Sequence, residues 1–233
     1  MNDKCLFTDI CDCFDSDSCN YMCRWFSRFD YMIRVDDSGI PKSMQNTNKL
    51  DMKPLYDKSK RDYEILGHIK SHPDQFVAKG ASLYIYGNTG NGKSSIAAKI
   101  AMNYMYFIAF FGGDIDNVVK FVNVSEFIDY QYRHKDDTEF LDKIKTCTLL
   151  ILDDICTRDY APFVADMLDT IIRYRNNNCL STIYTSNVSV DDIKDDRLSS
   201  LLCQAIQIHM VGPDRRINKM SADDVIKYLG GDV

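Results

Sequence analysis

Along this chain, short apolar runs alternate with stretches in which apolar side chains recur every three to four residues. The short runs are 81–86 (ASLYIY), 118–124 (VVKFVNV), 148–152 (TLLIL), 181–185 (STIYT) and 205–210 (AIQIHM). Their length and their β-branched and aromatic content predict five buried strands. Helical spacing predicts a helix over 57–69, with Tyr63, Leu66 and Ile69 on one face, and a long one over 93–111, closed by Gly112 and Gly113. Further helices are expected from a cap at Ser125 to about Tyr132, then over 136–145, 162–174, 195–202 and 221–229. Pro162 suits a first helical turn and Ser221 an N-cap. Strands separated by helices of this length predict an α/β fold, a five-stranded parallel sheet sandwiched by helices. Ligands of such sheets sit at the carboxyl ends of the strands, so candidate chemistry is sought there.

The first 60 residues break this rhythm. Residues 1–35 are rich in cysteine and aromatics, and 36–60 are polar with Pro41 and Pro54, which reads as a linker or an extended wrap-around segment; residues 61–233 hold the α/β domain. Hydrophobic residues make up 45% and charged residues 27%, which excludes disorder for the chain as a whole. With 28 Lys plus Arg against 34 Asp plus Glu, the net charge of −6 argues against coating nucleic acid through bulk charge. A local patch remains open. Arg133, His134, Lys135, Lys143 and Lys145 are its candidates, although a solvated helical face is the commoner use of such residues. No apolar run reaches the roughly 18 residues of a membrane span. Residues 1–8 carry Asp3 and Lys4 without an apolar stretch, so no secretory leader and a cytoplasmic setting are expected.

The strongest chemical signal is Gly87-Asn88-Thr89-Gly90-Asn91-Gly92-Lys93-Ser94, a full G-x-x-x-x-G-K-[ST] between a strand and a helix, with Ser95 next in line. Glycines let the backbone fold into a nest whose N–H groups face phosphates, and the helix N-terminus adds positive potential. Lys93 is placed to reach the β- and γ-phosphates of ATP, and Ser94 to ligate Mg²⁺. About 60 residues on, Leu149-Leu150-Ile151-Leu152 ends in Asp153-Asp154. There Asp153 is the candidate Mg²⁺ ligand and Asp154 the candidate that orients attacking water. A strand lies between the two motifs, which favours ATPases that activate water over nucleotide kinases. The next strand ends in Thr185-Ser186-Asn187, and Asn187 is the candidate polar group beside the γ-phosphate.

Taken in order, Gly39-Ile40-Pro41-Lys42, Tyr84-Ile85-Tyr86-Gly87, the phosphate loop, Asp153-Asp154, Thr185-Ser186-Asn187, residues 196–202 (DRLSSLL) and Gly212-Pro213-Asp214-Arg215-Arg216 form a set. In that set the chain resembles the AAA+ ATPases of the bacterial replicative helicase-loader group (DnaC/DnaI type), with a cysteine cluster like that of phage-borne members. The resemblance implies an AAA+ core without a helical lid domain, ATP hydrolysis with Mg²⁺, and a homo-oligomer in the ATP state. It implies a hexameric replicative helicase and single-stranded DNA as partners, and no membrane. It also implies that Arg216 is a sensor contacting the γ-phosphate of its own subunit, and that Arg197 lies in the arginine-finger segment facing a neighbour's nucleotide. Loaders often carry a second arginine four residues later, where this chain has Leu201. Two other functions remain in view: a transposition-helper ATPase with nearly the same motifs, and an ATP-switched adaptor with little hydrolysis, motivated by Leu201.

Of nine cysteines, Cys5, Cys11, Cys13, Cys19 and Cys23 fall in the first 23 residues. The odd total speaks against a disulfide framework, and so dense a cluster reads as a Zn²⁺ site. Cys5, Cys11, Cys19 and Cys23 are the expected ligands. Cys13, one residue from Cys11, would force a sharp chelate and is left out. A module of about 30 residues buries too little to fold unaided, so the metal would supply folding energy. The other reading is free thiols in a solvated tail, which Asp12, Asp15 and Asp17 favour.

Overall fold

The computed structural model describes residues 24–45, 52–111, 116–134, 137–156 and 159–215. The five helices before the sheet are α1 (Arg24–Asp37), α2 (Lys42–Gln45), α3 (Lys53–Lys58), α4 (Lys60–Ser71) and α5 (Pro73–Ala78). Strands and helices then alternate: β1 (Leu83–Tyr86), α6 (Lys93–Phe111), β2 (Val119–Asn123), α7 (Val124–Arg133), α8 (Thr138–Thr146), β3 (Leu149–Asp153), α9 (Pro162–Asn177), β4 (Ser181–Ser186), α10 (Asp196–Leu202) and β5 (Ile206–His209). All five strands lie parallel, in the order β2-β3-β4-β1-β5. Each expected strand is present. β1 and β4 also stand side by side although nearly 100 residues separate them, which brings the phosphate loop next to the end of β4.

The sheet splits the core in two through the period-two alternation of its strands. Leu83, Ile85, Leu149, Ile151, Ile183 and Ile208 face α6, while Tyr84, Leu150, Leu152 and Tyr184 face the side of α7, α9 and α10. Helix α6 is buried almost all round, because α1, α4 and α5 cover the flank the sheet leaves open. Each of its fully buried large apolar side chains is worth roughly 1.5–3 kcal/mol over exposure. That anchors the helix whose first turn ends the phosphate loop.

Three local expectations are corrected. The helix over 57–69 is two helices. Ser59 is extended (φ −148°, ψ 96°), it ends α3, and its hydroxyl accepts from the Asp62 N–H to start α4. Apolar periodicity carries straight through this break, so pattern alone misses it. The cap of α7 is Asn123 and not Ser125: its side-chain oxygen accepts from the N–H groups of Ser125 and Glu126. Residues 73–78, given no element in the sequence reading, form α5, with Pro73 in its first turn. Helix α1 runs across residues 35 and 36. Val35, Ile40 and Leu55 are buried in the α6-side core, and the Phe121 N–H donates to Ser38 O at 2.7 Å. Where it is described, the 36–60 stretch therefore wraps the sheet. The helix expected over 221–229, Arg216, Lys135 and the five N-terminal cysteines lie outside the described residues. Among the described residues no helix is long and apolar enough to cross a membrane.

Candidate functional site

Among the described residues, every candidate for phosphate chemistry except Arg197 gathers at the carboxyl ends of β1, β3 and β4. The loop leaves β1 at Gly87 (φ 142°) and turns through Gly90 (φ 77°) and Gly92 (φ 98°), a backbone region that disfavours side chains. Space forbids a side chain as well. A Cβ on Gly87 would lie 2.1 Å from Met210 O. Asn91 is fully buried and its amide donates to the same Met210 O at 2.6 Å, which ties the loop to the end of β5.

Lys93 is 5% exposed. Its ammonium donates to Gly87 O and Asn88 O at 2.8 Å each, and to Asn187 Oδ1 at 2.9 Å. The lysine of the loop and the asparagine at the end of β4 are thus in direct contact. Thr89 and Asn88 are exposed, whereas Ser94 and Ser95, in the first turn of α6, are half-buried.

Asp153 ends β3 and is 4% exposed. Its Oδ1 accepts from the Thr185 hydroxyl at 2.6 Å, and the same hydroxyl accepts from the Asp154 N–H at 3.0 Å. Asp154 takes φ 58°, so the chain reverses sharply after the first carboxylate. The turn is held further by the Ile155 N–H on Thr185 O (2.9 Å) and by the Ser186 hydroxyl on Ile155 O (2.6 Å). Just beyond, burial pushes the Cys156 thiol up to about 12.

Arg197 stands apart from this cluster. It projects from α10 and pairs with Asp166 of α9 at 2.8 Å and with Asp195 at 3.5 Å. Leu201, the departure from the two-arginine pattern, is buried against the α9 side of the core with Leu198 and Leu202. An arginine there would have to be buried in that apolar layer. Of the basic candidates on α7 and α8, Lys143 is paired with Glu139 at 2.7 Å, and His134 stacks on Tyr130 at a centroid distance of 4.4 Å. Among the described residues no group of three or more His, Cys, Asp or Glu is placed to hold a metal ion, and the N-terminal cysteine cluster falls outside them.

Two contributors escaped the sequence reading. Thr185 was grouped with Asn187 but given no task of its own. The signal was a hydroxyl-bearing residue where β4 runs beside the acidic end of β3. The other is the contact that residues 212–215, named above only as part of the motif set, make with the loop: the Arg215 N–H donates to Gly90 O at 3.0 Å, and a Cβ on Gly90 would lie 1.8 Å from an Asp214 carboxylate oxygen. Its signal was Gly212-Pro213 ending a strand that neighbours β1.

No family model matches the chain. Over 122 residues it is 32% identical to the replicative helicase loader DnaI of Bacillus subtilis (strain 168). That match covers 51% of this chain and 37% of the relative, so the chain spans little more than a third of that protein's length. A crystal structure of DnaI superposes with a TM-score of 0.57 at 24% identity, covering 78% of this chain and 100% of that one. The replication initiator DnaA bound to AMPPCP and single-stranded DNA gives a TM-score of 0.54 at 17% identity, over 73% of this chain and 51% of that one. At such identities the structural likenesses speak to the fold alone, an α/β core with a five-stranded parallel sheet. The chain is thus similar in sequence to DnaI over those 122 residues, and it shares the fold of the superposed DnaI structure.

Proposed function

We propose that the chain binds ATP and Mg²⁺ at the phosphate loop, hydrolyses the ATP to ADP and phosphate, and uses the cycle to deliver a hexameric replicative helicase onto single-stranded DNA. The setting is the cytoplasm of a bacterial or phage-infected cell. One observation carries the reading: the Lys93 ammonium, the Asn187 amide and the Asp153–Asp154 pair meet through β4 at the mouth of a glycine loop. The likeness to DnaI directs that chemistry towards helicase loading.

The donor set suits a magnesium nucleotide. The Ser94 hydroxyl and the Asp153 carboxylate are hard oxygen ligands for Mg²⁺. The left-handed glycines permit a loop whose N–H groups converge on an anion, along residues Gly87, Asn88, Thr89, Gly90, Asn91, Gly92, Lys93, Ser94 and Ser95. Bound Mg²⁺ neutralises charge on phosphate oxygens. The protein's own part is positional. Lys93 exchanges carbonyl partners for phosphate oxygens, Asp154 orients a water and accepts its proton, and Asn187 fixes the far side of that water. Arg216 is assigned to the γ-phosphate of the same subunit and Arg197 to a neighbour's nucleotide in the ATP-bound oligomer. Cys5, Cys11, Cys19 and Cys23 are assigned to Zn²⁺ in a helicase-contacting module that precedes α1 in the chain, on the strength of their spacing.

A second reading has its own observation. Arg197 is engaged by Asp166 within the chain, and Leu201 is core, which favours an ATP-switched adaptor that turns over slowly. Native mass spectrometry with and without ATP and a hexameric helicase, paired with phosphate-release assays on single-stranded DNA, separates the two. The loader reading expects a nucleotide-dependent loader–helicase complex, one zinc per chain and turnover stimulated by the assembly. A complex with a transposase in place of the helicase would contradict it; a helicase complex without turnover would select the adaptor.

A further inference from the structure

We propose that Thr185 is a positioning residue, whose single buried hydroxyl sets both members of the Asp153–Asp154 pair. The inference rests on the reading of the site as one that hydrolyses ATP. The register of β3 with β4, Leu152 beside Tyr184, puts the next residues, Asp153 and Thr185, alongside each other on the α6 face of the sheet. Thr185 is fully buried, and its hydroxyl is used on both sides: it donates to Asp153 Oδ1 at 2.6 Å and accepts from the Asp154 N–H at 3.0 Å. The first bond fixes one oxygen of the buried Asp153 carboxylate. The second holds the N–H of a residue at φ 58°, a conformation uncommon for residues other than glycine though less costly for aspartate than for most.

The two bonds act on different groups through one atom. Asp153 is the candidate metal ligand, and its carboxylate direction follows the Thr185 hydroxyl. Asp154 is the candidate for orienting water, and its side chain leaves a backbone that the same hydroxyl pins. Removing the oxygen therefore loosens both at once. The neighbouring tie, Ser186 on Ile155 O, holds the far limb of the turn and touches neither acid. β4 thus divides the work in sequence order: Thr185 holds the acids, Ser186 the turn, and Asn187 the lysine.

Thr185→Val keeps the volume and removes the hydroxyl, while Thr185→Ser keeps the hydroxyl and removes the methyl. In the full chain, the valine variant is expected to lower kcat by about 10- to 100-fold, the usual loss when a partner that orients a functional ligand is removed. It should also raise the Mg²⁺ concentration needed for half-maximal turnover. Affinity for ADP measured without Mg²⁺ should stay within about 3-fold, since the phosphate loop is untouched. The serine variant is expected to restore kcat to within about 3-fold of the unaltered protein. Hydrogen exchange at the Asp154 amide reads the bond without turnover: faster in the valine variant, unchanged in the serine variant. Should the valine variant not fold, Thr185→Cys, a weak donor and acceptor of similar size to serine, reads the same split. Unchanged amide exchange and unchanged kcat without the hydroxyl would overturn the proposal, as would a serine variant as poor as the valine one. An unaltered protein that binds no nucleotide would instead overturn the site reading, with the exchange measurement still deciding the role of Thr185.

Discussion

Two buried cations sit at opposite ends of the sheet, and they are held in different ways. Arg175, fully buried, lies at the strand starts. It donates to the Thr182 hydroxyl at 2.8 Å, to Ser181 O at 2.6 Å, and to the carbonyls of Ile144, Lys145 and Cys147 at 3.2, 3.0 and 2.8 Å. Those partners come from α8, the approach to β3, and β4, so one guanidinium fastens three elements to α9. Lys93, at the strand ends, holds two carbonyls of its own loop and the side-chain oxygens of Asn187 and, at 3.5 Å, Asn91. Burial costs a charge its hydration and must be offset by bonds, and both residues satisfy that rule. They differ in what replaces the bonds if they break. Nothing near Arg175 can substitute for its planar fork of donors. The partners of Lys93 are those that phosphate oxygens can take over. The first arrangement makes a fold, and the second makes a site.

Breaking the structural end should have the largest effect. Arg175→Met strands several buried carbonyls at once and is expected to destabilise the domain by about 3–5 kcal/mol. Urea denaturation followed by circular dichroism checks this, and nucleotide affinity in the folded fraction should be unchanged. Next comes Gly87→Ala. Its methyl meets backbone, 2.1 Å from Met210 O, at φ 142°. The expected loss is about 1–3 kcal/mol, together with weakened nucleotide binding. Gly90→Ala should be milder, because the atom it meets belongs to the Asp214 side chain, which can swing away. Paired melting curves rank the two. Asn187→Ala sharpens the functional side: kcat is expected to fall about 10-fold with binding nearly intact, read from steady-state phosphate release. The smallest effect concerns thiols. Burial pushes the thiols of Cys147, beside Arg175, and Cys156, beside the acids, upward, the latter to about 12. Burial disfavours the thiolate, so both should alkylate far more slowly than the exposed Cys179 and Cys203. Arg175 opposes the burial effect on Cys147, so in folded Arg175→Met the Cys147 thiol should alkylate no faster than in the unaltered protein, as mass spectrometry of labelled peptides would report.

The same contrast sorts what could be read from the chain. The strands, the phosphate loop and the acidic pair were legible because each is a local pattern: a β-branched run between glycines, a spaced glycine motif, an apolar stretch ending in carboxylates. Ser59 was not, because a capping hydroxyl cuts α3 from α4 inside a pattern whose period never falters. Nor was α1, since Cys-rich and aromatic composition drew residues 24–35 towards a metal module, whereas Tyr31 packs edge-on against Tyr106 of α6. No local pattern marks Arg175 in the polar run Arg173-Tyr174-Arg175-Asn176, because three of its carbonyl partners lie about 30 residues earlier. Thr185 was visible as a residue and invisible as a link, since the register of β3 on β4 is a tertiary fact. Local sequence named the groups that do chemistry, and cross-strand contacts named the ones that aim them.

The account stands on the phosphate loop gripping a nucleotide through Lys93. Calorimetric titration of ATP with Mg²⁺ into the unaltered chain and into Lys93→Ala, with a urea unfolding curve for each, tests it directly. The account predicts that Lys93→Ala loses at least about 100-fold in affinity while its stability moves by no more than about 1 kcal/mol, the worth of ordinary hydrogen bonds that water can replace. Equal affinity for ATP in the two proteins would contradict it.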